Sequence, residues 1–314
     1  MDPLIYVLDL VVFIGIFSIV SLSLNLEFGF TGLANFGKVA FFLVGAYTYA
    51  LLSKAGLPFY LCLIAGASTS AIIGFLVSLP TLKLREDYLA IVVLTFGEVL
   101  RLILKSERWL AGGVWGIAVS PAIPIAGASA RVDTLINVGL VYFCLVICFV
   151  VVQLTTNSPY GRVIRAIRED ELAAETLGKD RAKYRGQVLA LGSAIAGIAG
   201  GLYAQYIRFI DPYMFMPMLT FTVWIMVILG GPANNWGALL GAVLVMLFDR
   251  GTNMAKDYLT LPIDPINLQY ILFGVLIIAV LLYRPQGLLK ESRIKTKAIE
   301  MIRHARNAPK DKRS

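Results

Sequence analysis

Residues 32–38 read G-x-x-x-x-G-K, the opening of a loop whose backbone amides cradle phosphate. That chemistry needs Ser or Thr next, to hold magnesium, and Val39 stands there instead. No convincing strand precedes the stretch, and an apolar run follows it. Residues 243–249 superficially match the acidic strand that completes such sites, but Arg250 follows and the run is apolar. Nucleotide binding by this chain is rejected; if ATP drives it, another subunit hydrolyses the ATP. Other catalytic sets fare no better. There is no G-x-S-x-G elbow and no H-E-x-x-H pair, and His304 has no second histidine to relay through. Cys144 and Cys148 share a helix face at i, i+4, yet they and Cys62 lie in apolar runs, where a thiol behaves as a small hydrophobe. No catalytic residue, metal ligand or cofactor is expected.

The remaining polar chemistry sits in or near apolar stretches. Glu98 and Arg101, at i, i+3, can pair across one helical turn. Charges there are costly, so the pair is either a structural ion pair toward the outer end of its helix or a substrate contact. Asp9 has no obvious partner. Residues 28–37 and 229–237 interrupt apolar runs with glycines and amides, one interruption in each half of the chain. Irregular backbone at membrane depth survives only where it lines a cavity or packs in protein. Asn25, Thr31, Gly32, Asn35, Asn234 and Asn235, together with Glu98, are the candidate lining of a translocation path; two ordinary loops are the alternative.

The elements that must position these groups follow from composition. The chain has 314 residues, 58% hydrophobic and only 15% charged; its mean hydropathy is +0.76. Such a composition suits lipid as solvent. Apolar runs of spanning length lie at 4–24, 60–79, 135–152, 188–207 and 266–282, with 89–104 as another that carries two charges. Residues 218–229 and 236–248 are too short to span comfortably and read as a re-entrant hairpin or two abbreviated spans. The fold class is an all-α polytopic membrane protein with about eight to ten transmembrane helices, some broken or re-entrant. Ser193, Gly197 and Gly201 recur every four residues, as do Gly237 and Gly241, and such faces predict close internal packing.

Charge sets the orientation. Residues 283–314 hold ten Lys/Arg against three Asp/Glu, and residues 154–186 hold seven against five. Both are expected on the cytoplasmic side, with an even number of crossings between them. Residues 105–134 then fall outside and the turn at 81–87 inside. The basic tail at 291–314 suits anionic lipid, and no recognition module accompanies it for nucleic acid. No basic residue precedes the first apolar run, which reads as a retained span and not a cleaved leader. The break at 27–37 leaves the N-terminal side open. A cytoplasmic loop there puts the terminus outside; an unwound part of one crossing puts it inside.

The segment at 158–178, SPYGRVIRAIREDELAAETLG, begins with an N-cap serine and a first-turn proline and stops at Gly178. Val163, Ile164 and Ile167 form an apolar strip, Arg162, Arg165 and Arg168 recur at i, i+3, i+6, and Glu169, Asp170 and Glu171 follow. It reads as a short amphipathic helix or helix pair, either a solvated loop or a docking surface for a cytoplasmic partner.

With the strings at 29–47, 85–104, 197–215 and 283–289, this segment resembles the branched-chain amino acid ABC transporter permeases of the LivM type. The resemblance implies a permease domain over 1–290 in the cell membrane, moving leucine, isoleucine and valine. It implies a similar second permease, two cytoplasmic ATPases and an extracytoplasmic binding protein as partners. Ala173, Ala174 and Gly178 look like the core of the ATPase-docking motif. Lys38 and Val39 replace the family's usual His-Ala, and 112–117 and 231–234 also depart from its pattern. Related permeases for urea, amides or other amino acids share the scaffold. A stand-alone secondary transporter or channel would need coupling-ion ligands, of which the chain offers few.

Overall fold

The structure, a computed structural model, describes residues 3–81, 86–121, 130–258, 265–284 and 286–291. The tail beyond 291 and the centres of the expected turn at 81–87 and loop at 105–134 lie outside the described residues. The long helices are α1 (Pro3–Leu24), α2 (Lys38–Lys54), α3 (Phe59–Thr81), α4 (Glu86–Ser106), α6 (Ala130–Asn157), α9 (Arg181–Ile207), α10 (Pro217–Gly230), α11 (Asn235–Tyr258) and α12 (Pro265–Tyr283). Short helices α5 (Arg108–Ala111), α7 (Pro159–Glu169) and α8 (Glu171–Thr176) lie between them. Strand β1 (Ile117–Ala118) pairs antiparallel with β2 (Phe209–Ile210). The architecture is all-α and polytopic, as the apolar runs predict. Among the described residues, four helices are long and apolar enough to cross a membrane outright: Leu4–Gly29, Phe59–Leu79, Arg131–Asn157 and Arg181–Ile207.

Two elements differ from their sequence reading. The run at 236–248 belongs to a 24-residue helix that continues through Asp249 and Arg250. The helix tolerates Arg250 because its guanidinium lies 4.8 Å from the ring centre of Phe13 and 5.9 Å from that of Tyr6. Asp9 does have a partner: it accepts a hydrogen bond from the Tyr206 hydroxyl.

Helix α9 fixes the direction of its neighbours. On α1, Ser23 donates to the Gly192 carbonyl, Phe13 packs edge-on against Tyr203 and Tyr206, and Asp9 meets Tyr206. Helix α1 therefore runs antiparallel to α9. Helix α2 starts beside Glu27 and ends where Ser53 donates to Ser120, next to the strand pair at the C-terminal end of α9. Helices α1 and α2 thus run in opposite directions, and the chain begins at the end opposite α7 and α8. Beyond α12, the amides of Leu288 and Leu289 donate to the carbonyls of Leu229 and Gly230, each at 2.9 Å, and Glu291 reaches α7. Residues 286–291 consequently share the α7–α8 end.

The packing of α2, α3 and α9 is backbone on backbone. A Cβ on Gly45 would overlap the backbone of Gly197, one on Gly200 the carbonyl of Phe42, and one on Gly74 the side chain of Ser193. Gly237 and Gly241 bring α11 against α10 in the same manner. The recurring small residues therefore serve contacts within the chain, where lipid supplies no hydrophobic drive. Gly200→Val should destabilise the protein by ~1–3 kcal/mol or more through overpacking, read as a lower thermal midpoint in detergent. Gly139→Ala, inside α6 where nothing lies within 4 Å of the added carbon, should not lower that midpoint.

Candidate functional site

Helix α1 does not end in a loop; it loosens. Residues Asn25–Gly29 form a π-turn, and the next helix begins only at Lys38. A helix end leaves carbonyls without partners, and inside a membrane each must be satisfied. Here every one is. The carbonyl of Asn25 accepts from the Phe30 amide, that of Leu26 from the Thr31 hydroxyl at 3.2 Å, and that of Glu27 from the Leu33 amide at 2.9 Å. The Phe28 carbonyl accepts from the Gly32 amide at 2.9 Å, and the Gly29 carbonyl from the Arg168 guanidinium. Gly32 has φ +73°, a conformation glycine adopts without a Cβ penalty, and this turns the chain toward α7.

The interruption closes on a buried ion pair. Lys38 Nζ lies 2.7 Å from Glu27 Oε1, and both side chains are 0% exposed. Asn35 donates to Glu27 Oε2 at 2.9 Å, while its own side-chain oxygen accepts from the Gly37 amide at the start of α2. Glu27 rests directly on Gly192 of α9, where a Cβ would occupy the carboxylate's place. The two charges sit at the unfavourable ends of their own helices, a carboxylate at a C-terminus and an ammonium at an N-terminus. Only their mutual contact and the Asn35 amide offset this and the cost of leaving water. Glu27 is not among the groups singled out by type and spacing, and Lys38 enters only as the end of the rejected phosphate motif and a departure from the family pattern, although oppositely charged residues bounding a glycine-rich break in an apolar sequence are a usable signal.

The second interruption meets the first. Asn25 accepts from the Ala233 amide at 2.9 Å and donates to Asn235 at 3.2 Å; Asn235 donates in turn to Gln153 of α6 at 2.7 Å. Asn234 caps α11 by accepting from the Trp236 and Gly237 amides, and donates to the Lys290 carbonyl at 2.9 Å. Asn25, Thr31, Asn35 and Asn235 are buried and bonded within the chain. They tie broken elements together. Of the groups considered for a path, Glu98 borders a narrow cleft of about 270 Å³ that includes its open mouth. Gly37, Val39 and Leu43 line one side, Leu94 another, and Thr220 of α10 a third. Glu98 also makes a two-point ion pair with Arg101, through Arg101 Nε at 2.9 Å and a second guanidinium nitrogen. Phe28 and Phe36 pack on Trp224 beside this cleft, with ring centres 4.4 and 4.5 Å away.

The 158–178 segment forms a pair of helices, α7 and α8. Ser158 accepts from the Gly161 amide, Pro159 opens α7, and Asp170 caps α8 by accepting from the Ala173 amide at 3.0 Å. Gly178 closes it with φ +74°. Each residue advances a helix by about 100°, so residues three apart drift around it, and the arginine triplet divides. Arg162 faces out; Arg165 lies over the Phe30 ring at 4.8 Å, and Arg168 reaches Gly29 and Glu291. Ile164 and Ile167 are fully buried in the chain's own core, and Ala174 nearly so. Glu169, Asp170, Ala173 and Gly178 are exposed. Burial pushes the Glu171 carboxyl up, but Arg185 and Arg181 outweigh it and hold it below the usual carboxylate range. Leu172 and Leu177 are 74% and 79% exposed.

Comparison with known proteins is consistent along the chain. The family model for the permease component of the branched-chain amino acid transport system matches residues 6–281. A probable branched-chain amino acid transport permease protein LivM of Methanocaldococcus jannaschii is 35% identical, with 90% of this chain and 92% of that protein aligned. The high-affinity branched-chain amino acid transport system permease protein LivM of Escherichia coli K12 is 32% identical over 91% of this chain and 70% of its own length. The corresponding LivH of that organism is 23% identical over 87% of this chain and 91% of its own. No solved structure matches.

Lys38→Met strands Glu27 as an unpaired buried charge and should cost about 3–5 kcal/mol. Adding Glu27→Gln should restore most of that loss, because the desolvation and both helix-end penalties disappear together. Thermal midpoints of the two variants in detergent check this; a double variant no more stable than the single one would contradict it.

Proposed function

The chain belongs to the branched-chain amino acid transport permease family, and on that premise we propose that it is the transmembrane permease subunit of an ATP-binding cassette importer for leucine, isoleucine and valine. It is a multi-pass membrane protein and similar to transport permeases. Its partners in this reading are a second homologous permease, two cytoplasmic ATPase subunits and an extracytoplasmic binding protein. Matches to both LivM and LivH proteins support a paired permease.

The observation that carries the reading is the α7–α8 pair. Leu172 and Leu177 project into solvent from a firmly capped helix pair at one end of the bundle. Exposed aliphatic side chains on an ordered element suit a docking partner. This end also carries residues 286–291, which lead into the basic tail, so we assign it to the cytoplasm. The first helix then starts outside, and the β1–β2 end faces the binding protein. The cleft between α2, α4 and α10 is this chain's side of the path. Its lining is mostly apolar, with Thr220 and Glu98 as polar exceptions, which suits an aliphatic side chain.

Proteoliposomes holding the full complex should take up leucine only with ATP and binding protein present, and this chain alone should not. Leu172→Asp with Leu177→Asp should release the ATPases and abolish uptake. Uptake of urea or acetamide but not leucine would reassign the substrate; leucine uptake by the chain alone would overturn the importer reading.

A further inference from the structure

The contact between α7 and the broken end of α1 runs through one carboxylate from a distant part of the chain. Arg168 donates one guanidinium nitrogen to the Gly29 carbonyl, the only one of the loosened end's five that is satisfied from outside the break. Its other terminal nitrogen lies 2.9 and 3.1 Å from the two oxygens of Glu291. Arg165 Nε lies 3.7 Å from the same carboxylate while its guanidinium covers Phe30. Gly32, within the break, packs on the aliphatic stem of Arg168. Glu291 is itself held: the backbone just before it forms a strap under the α10–α11 turn, through Leu288 and Leu289 to the carbonyls of Leu229 and Gly230, and through Lys290 to Asn234. Gly231, with φ +113°, lets this strap close against the turn.

We infer that Glu291 is a positioning residue for energy coupling, which holds Arg168 on the Gly29 carbonyl so that movement of α7 passes directly into both interrupted segments. Two arginines three residues apart on one helix repel each other, and the carboxylate between them neutralises that repulsion and fixes the Arg168 guanidinium in orientation. Without it, Arg168 turns toward solvent and α7 can shift without pulling the break. The two side chains are 22% and 33% exposed, so water screens the pair and it adds little to folding. Its value lies in direction. One terminal nitrogen is held on the carboxylate and the other on the Gly29 carbonyl, so a single rigid planar group is anchored at two points and the carboxylate sets where its remaining donor points.

This inference rests on α7 and α8 being the contact for the ATPases. The test uses the complete complex in proteoliposomes, measuring leucine taken up per ATP hydrolysed beside assembly and thermal midpoint. Glu291→Gln should assemble normally and keep hydrolysing ATP, with uptake per ATP lowered about fivefold. Glu291→Asp should recover most of the ratio. Arg168→Met added to Glu291→Gln should cause no further fall, since both act at one joint. An unchanged ratio in Glu291→Gln, beside a wild-type complex that couples normally, overturns the inference alone. A lowered ratio accompanied by lost subunits or a lowered midpoint makes the residue structural, and also overturns it. Wild-type uptake that ignores ATP overturns the importer reading and this inference with it.

Discussion

Everything near the interrupted first helix depends on two opposite charges meeting where neither tolerates being alone. Glu27 and Lys38 are removed from water and placed at the wrong poles of their own helices, yet they lie 2.7 Å apart. The contact forces the chain to return, after eleven residues, to the depth it left. That return gives Asn35 its position between the carboxylate and the Gly37 amide just before α2, and puts Gly37 against the backbone of Val93 on α4. It also requires Gly192, because the carboxylate lies on the surface of α9. A buried pair of this kind is poor evidence for stability as such. It is better understood as a device that selects one closure of the loop over the many that glycine would permit.

The same economy governs the unwound backbone. An interrupted helix in a membrane survives only if its freed carbonyls are answered, and here the partners come from the next residues, from one hydroxyl and from one arginine of α7. The second interruption is answered by Asn25 and by the strap after α12. The amides that look suited to a passing solute are thus occupied in bonding the protein to itself. What remains open beside them is mostly apolar: Val39, Leu43, Leu94 and the rim of Glu98.

Much of this was legible in the amino-acid order. Apolar runs mark the helices, glycine and asparagine mark both interruptions, and Ser158, Pro159 and Gly178 mark the ends of the α7–α8 segment. Small residues at four-residue spacing on α9 do mark a close backbone contact. The failures share a cause: they depend on which distant residue arrives opposite. Asp9 meets Tyr206, and Arg250 meets Phe13, across more than half the chain. Arg165 and Arg168 look like part of an exposed basic face until Phe30, Gly29 and Glu291 take up their inner side. The side of the first terminus was open in the sequence, and the antiparallel run of α1 along α9 places it opposite α7.

Helix α10 has only fourteen residues. It rises about 21 Å, against roughly 30 Å of hydrocarbon. Alone it falls short of a full crossing, so the backbone on either side of it, at 212–217 and at 231–235, has to share the depth. Asp211 braces the leading side by accepting from the amides of Tyr213 and Met214. A helix that covers about seven-tenths of the hydrocarbon leaves irregular backbone, with its amides and carbonyls, to meet whatever fills the remainder.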